Sequence, residues 1–187
     1  MKNTKIKRNS KESGFSLVEL LVAIGVSGIV FAAISSLVFY SARSFVALAN
    51  YVDLDNSSRS ALDRMSSEIR QANRLTSYSP TNLCFEVVDP TTGATTTLTY
   101  TYDSAAGTLK RNYTNQTTTL LKEINPNALK FSMYQRNPVE GSVDQYSTTD
   151  PALCKVVQLS WTCSRKVLGK KSNTESVQSA KIVIRKE

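Results

Sequence analysis

The chain contains no histidine, which removes the commonest general base and the commonest metal ligand. Its three cysteines, Cys84, Cys154 and Cys163, are too few and too far apart for a zinc site. It also lacks a glycine-rich phosphate loop, a G-x-S-x-G elbow and any pairing of histidine with carboxylate. An enzyme built here would have to work with lysine, tyrosine and carboxylates, and these form no recognisable set. The sequence predicts no enzyme and calls for no cofactor or metal. Proline is absent before Pro80, and between Phe15 and that residue the only glycines are Gly25 and Gly28. Little in that stretch stops a helix.

Charge is missing from Leu20 to Ala42, where the chain reads LLVAIGVSGIVFAAISSLVFYSA. At ~1.5 Å per residue this run makes a helix of roughly 35 Å, enough to cross a bilayer. Just ahead of it lie Lys2, Lys5, Lys7, Arg8 and Lys11 against a single Glu12, which account for half of the formal net charge of +8. Such a cationic tail stays in the cytoplasm and sends the following chain outside. What remains of the basicity is spread over the rest of the sequence. A secretory signal peptide, with Val30-Phe31-Ala32 as its cleavage site, fits this pattern less well. The apolar run outlasts the ~7–15 residues of such a peptide, and Glu19 places a carboxylate at the mouth of the run.

Gly14-Phe15-Ser16-Leu17-Val18-Glu19-Leu20, after a short basic leader and before a long apolar run, resembles the processing signal of type IV prepilins and type II secretion pseudopilins. The resemblance covers about 30 residues closely and implies roles for three positions. Gly14 is the last residue of the leader, Phe15 the new and N-methylated terminus, and Glu19 the glutamate that family members use in assembly. Elementary chemistry agrees with these roles. A glycine before the cut leaves no side chain to obstruct a protease at the membrane face. An ionised Glu19 at the centre of a membrane helix would cost about 3 kcal/mol, less near the interface, so it needs a partner. The resemblance supplies one in the α-amine of Phe15 on a neighbouring subunit. Phe15 and Glu19 are separated by roughly 6 Å of helix, so a neighbour displaced by a similar step joins the two charges.

Beyond the membrane run, Asn50 to Ser58 is rich in weak helix formers. Leu62, Met65, Ile69 and Ala72 then recur at helical spacing, with Arg59, Asp63, Glu68 and Arg70 mainly on other faces. This predicts an amphipathic helix ending near Asn73. Asp53-x-Asp55-x-Ser57 has the start of a calcium loop but not its glycine, Ser58 standing there instead. Downstream, strands are predicted over 83–88, 96–102, 108–114, 120–124, 129–134, 156–163 and 181–185. Asp103 to Gly107 forms the turn of a hairpin. The expected fold class is α+β, a long N-terminal helix with a membrane half and an amphipathic half, the latter covering an antiparallel sheet. The resemblance implies the lollipop outline of a pilin. It divides the chain into a leader at 1–14, a transmembrane and filament-core helix at 15–42, and an extracytoplasmic domain at 43–187.

The order of elements after Ser60, with Tyr-x-Tyr, a turn and Leu-x-Arg, is similar to PilW-type minor pilins and J-type pseudopilins. The expected function is a minor pilin or pseudopilin that helps to start or cap a type IV pilus-like filament. Its implied partners are the prepilin peptidase, other pilin subunits met through the N-terminal helix, and the inner membrane before assembly. After assembly the subunit lies in a periplasmic or surface filament. A DNA-capturing minor pilin and a plain secreted or single-pass anchored protein are the alternatives. Arg165, Lys166, Lys170 and Lys171 around Gly169 form the only basic loop that could grip phosphates, and no aromatic residue interleaves with them. Nucleic acid is not an expected partner.

An odd number of cysteines permits one disulfide. Cys154 and Cys163 bracket a strand of about 30 Å, beyond bonding reach. The expected bond joins Cys84 to Cys154 or to Cys163.

Overall fold

The computed structural model describes residues 14–89, 92–136, 145–167 and 170–184. The basic tail with Lys2, Lys5, Lys7, Arg8, Lys11 and Glu12 lies outside the described residues, as does Gly169. The chain divides into two compact units, Met1–Ser44 and Phe45–Glu187.

One helix, α1 (Leu17–Gln71), carries the chain out of the first unit and into the second. With no proline to break it, it runs 55 residues. Its first part is long and apolar enough to cross a membrane, and the most apolar window buries none of its surface within the chain. None of the described residues up to Ser44 is buried.

In the second unit α1 becomes one-sided. Leu54, Ser58, Ala61, Met65 and Ile69 are buried, followed by Ala72 just past the helix end. The spacing of four, three, four, four and three is that of a single helical face. Leu62, expected on this stripe, sits at its margin and is partly buried, while Ser58 and Ala61 occupy its centre. The small side chains at those two positions allow the sheet to approach closely, and Ser58 Oγ donates to Cys163 Sγ at 3.7 Å.

The strands form two antiparallel sheets. The first has the order β1-β2-β3-β4-β5, from β1 (Arg74–Ser79), β2 (Asn82–Val88), β3 (Thr95–Asp103), β4 (Thr108–Tyr113) and β5 (Gln116–Leu121). It is a meander of neighbouring hairpins. Leu83, Phe85, Leu98, Tyr100, Tyr102 and Leu109 alternate onto its buried face. The β4–β5 turn is a two-residue connection in which Thr114 and Asn115 both have positive φ, 50° and 63°, the arrangement of a type I′ turn. The second sheet has the order β7-β6-β8-β9, from β6 (Lys130–Arg136), β7 (Gln145–Ser147), β8 (Val156–Val167) and β9 (Lys170–Val183).

A short stitch links the sheets. Ile124 bridges Cys163 on β8, and the Ile124 N–H donates to the Gly107 carbonyl at 3.0 Å. Gly107 has φ +61°, and a Cβ there would lie 2.9 Å from the Ile124 carbonyl oxygen. The turn therefore needs glycine for its backbone conformation and for the approach of Ile124. Trp161, fully buried, and Phe131 fill the core from the second sheet, and Phe85 meets Tyr100 edge to face at 6.3 Å from the first.

Candidate functional site: the start of the helix

Gly14, Phe15 and Ser16 precede the helix, and Leu17 is its first residue. The Ser16 N–H donates to Glu19 Oε2 at 2.9 Å. In return the Glu19 N–H donates to Ser16 Oγ at 3.2 Å, and the Leu20 N–H reaches the Ser16 carbonyl at 3.1 Å. This reciprocal pair is a capping box. A serine outside the first turn and a glutamate three residues on satisfy two N–H groups that a helix end leaves without partners. The glutamate also places negative charge in the first turn, where the helix dipole favours it. Glu19 thus fixes where the helix begins. Gly14 and Phe15 are left as non-helical backbone ahead of it, with nothing within 4 Å of a Cβ built at Gly14. Glu19 stands out in the sequence by its charge at the mouth of an apolar run, whereas the signal for Ser16 is the Ser-x-x-Glu spacing of a capping box.

From this point one side of the helix presents a shallow, open face. Phe15 and Phe31 stand at its ends, and Ala23, Ser27 and Gly28 are among the small residues between them, with Glu19 at its head. Phe15 is 87 % exposed. A carboxylate is therefore placed at the head of an exposed, mostly apolar helix face.

The other residues singled out by sequence have different duties. Asp53 and Asp55 lie within α1. Asp53 pairs with Arg165 at 3.0 Å, and Asp55 pairs with Arg59 at 2.7 Å while accepting from Gln178 Nε2 at 3.0 Å. Among the described residues no group of three or more His, Cys, Asp or Glu side chains could hold a metal ion. Arg165, read in sequence as part of a basic loop, binds Glu123 at 2.6 Å and Asn50 Oδ1 at 3.2 Å. Its bonds to Glu123, followed by those to Asp53, raise its pKa further. Its charge serves to fasten α1 to the second sheet. Lys166 is exposed.

Glu68, expected on an outer face of the helix, is instead half-buried against the first sheet. Arg111 Nε donates to its two oxygens at 3.0 and 2.9 Å, the Tyr100 hydroxyl donates to it, and Arg64 joins from one turn back at 3.2 Å. Burial alone would raise the Glu68 carboxyl, but the bonds from Arg111 and Tyr100 outweigh it and hold the group below the usual carboxylate range. Burial, with Glu68 beside it, raises the Tyr100 hydroxyl.

The three cysteines are unbonded and distributed. Cys84, on the half-exposed face of β2, accepts from Thr99 Oγ1 at 3.7 Å. Cys163 is buried beneath Ser58, where burial raises its thiol. Cys154 follows the short 3₁₀ turn Pro151–Leu153, and burial pushes its thiol up to about 11.

Residues 9–35 match the family model of the prokaryotic N-terminal methylation motif, the prepilin-type signal of type IV pilins and pseudopilins. No curated protein and no solved structure matches the chain.

Proposed function

We propose that a chain with a prepilin-type signal at residues 9–35 and a capped helix behind it is a minor subunit of a type IV pilus-like filament, held in the membrane until assembly. The observation that carries this reading is the coincidence of the signal with the capping box. The bond to be cut, between Gly14 and Phe15, lies just ahead of a helix start that Ser16 and Glu19 define. A protease needs extended backbone, and this is where the chain stops being helical. Cleavage creates an ammonium at Phe15, next to a helix N-terminus that disfavours positive charge. Within one chain Glu19 engages Ser16. In a filament its carboxylate meets the Phe15 amine of a neighbour, which offsets both charges inside an apolar bundle. Leaving them apart in that environment would be far more costly.

Two features favour a subunit of low abundance. No proline interrupts the 55-residue helix, so the local melting that a proline permits in a shaft subunit is not encoded in that way. The nine strands among the described residues also exceed what a compact shaft subunit requires. In cells, Glu19→Ala is expected to insert into the membrane normally and to be lost from sheared filaments. Equal incorporation of mutant and wild type contradicts the assembly role. Quantitative mass spectrometry of the same filaments should find this chain well below the most abundant subunit.

A further inference from the structure

We propose that the free edge of β5 is a docking site for a β-strand of an adjacent filament subunit, which extends the first sheet across the subunit boundary. This rests on the filament reading above and names a contact within it.

Among the described residues the two sheets have four edges, and devices that discourage strand addition are common on them. β1 begins with Arg74, is bulged between Leu75 and Ser77, and lies against the Pro151–Leu153 turn. The described β7, Gln145–Ser147, is three residues long. β9 carries Glu175 and Lys181. β5 is also bulged, at Leu120 between the Leu109–Leu121 and Lys110–Thr119 pairs, but its first four residues, Gln116 to Thr119, run in unbroken register. It reads Gln-Thr-Thr-Thr-Leu-Leu, with no charge and no proline, and residues 116–119 are all exposed. Among the described residues it pairs only with β4.

The register identifies the unpaired groups. The two-residue turn closes on the Tyr113–Gln116 pair, with Asn112 opposite Thr117, Arg111 opposite Thr118 and Lys110 opposite Thr119. Bonded and non-bonded pairs alternate along an antiparallel ladder. Thr117 and Thr119 therefore turn their N–H and C=O groups away from β4. A row of backbone donors and acceptors at strand spacing is matched by another extended backbone, so the occupant is a peptide strand and not a small ligand. Threonine is at home in strands and stays soluble while the edge is empty.

The test is Thr119→Pro in the full-length protein. Proline removes an outward N–H and spares the bonds to β4. The variant should keep the wild-type melting temperature and enter sheared filaments about ten-fold less well. Thr118→Pro, which breaks the internal ladder, should instead lower the melting temperature. A photoreactive residue at Thr119 should cross-link to another subunit, and one at Ser132 on the second sheet should not. If wild type enters filaments while Thr119→Pro is neutral and position 119 gives no adduct, the docking site is wrong and the filament reading stands. If wild type is absent from filaments yet position 119 still gives a specific adduct with another chain, the filament reading fails and the edge pairs elsewhere. Neither filament entry nor adduct sinks both.

Discussion

The stretch up to Ser44 and the stretch from Phe45 onward are built on opposite principles. The first buries none of its described residues, and its apolar side chains face outward along a single helix. It has no interior of its own and is long and apolar enough to cross a membrane. The second makes its own interior, with Met65, Ile69, Phe85, Tyr100, Phe131 and Trp161 fully buried. The two also differ in what their polar groups do. In the first, Ser16 and Glu19 cap a helix end. In the second, Glu68 with Arg111 and Arg165 with Glu123 and Asp53 fasten one helix to two sheets. Identity therefore lies in the part without a core, and stability in the part without a recognisable signature.

That contrast is most severely tested by removing the core. Trp161→Ala should destabilise the second unit by about 3–5 kcal/mol, because it empties the largest fully buried side chain. Leader removal should nonetheless proceed, since the signal lies wholly in the first unit. Loss of processing in Trp161→Ala would show that the two regions depend on each other. Gly107→Ala should cost about 1–3 kcal/mol, from its positive φ and the 2.9 Å approach to Ile124. Its melting temperature in detergent, compared with that of Gly93→Ala, separates the two causes. At Gly93, φ is +69° with open space around it, so only the backbone term applies.

A smaller effect concerns pH. The folded state holds the Glu68 carboxyl below its ordinary value. Its contribution is therefore fully present above the unfolded pKa of about 4.3 and is lost as pH falls through the lower folded value. Melting temperature should decline across that acidic window, and Glu68→Gln should flatten the decline by about 1 kcal/mol or less. An unchanged slope in Glu68→Gln would assign the acid sensitivity to other carboxylates.

The sequence made legible those elements whose apolar residues face a core at regular spacing. β2 and β3 announce themselves through Leu83, Phe85, Leu98, Tyr100 and Tyr102, all buried in the structure. β1 was missed because its bulge between Leu75 and Ser77 breaks the alternation. The start of β5 was missed because Gln116 to Thr119 face no core. Most of β9 was missed for a different reason. Its inward Ser176 and Gln178 are polar because they meet Asp55 on the helix, while Val177 is exposed. Only Ile182 and Ile184 read as core. The same inversion blurs only the upper part of the helix stripe, where Ser58 is buried and Leu62 is marginal, while Met65, Ile69 and Ala72 are buried as the spacing predicts. Glu68 reads as lying off the apolar stripe because its partners, Arg111 and the buried Tyr100, arrive from strands distant in sequence. At the helix start the residues are adjacent in sequence, so the motif that holds Gly14, Phe15 and Glu19 is legible from the chain alone, and their roles in cleavage, methylation and assembly belong to the proposed function.

The most direct test of the central claim is the N-terminal residue of the protein extracted from membranes. Mass spectrometry should show a chain beginning at N-methyl-Phe15, shortened by the leader that ends at Gly14. A chain that still begins at Met1, or one that begins near Ala33, would contradict it.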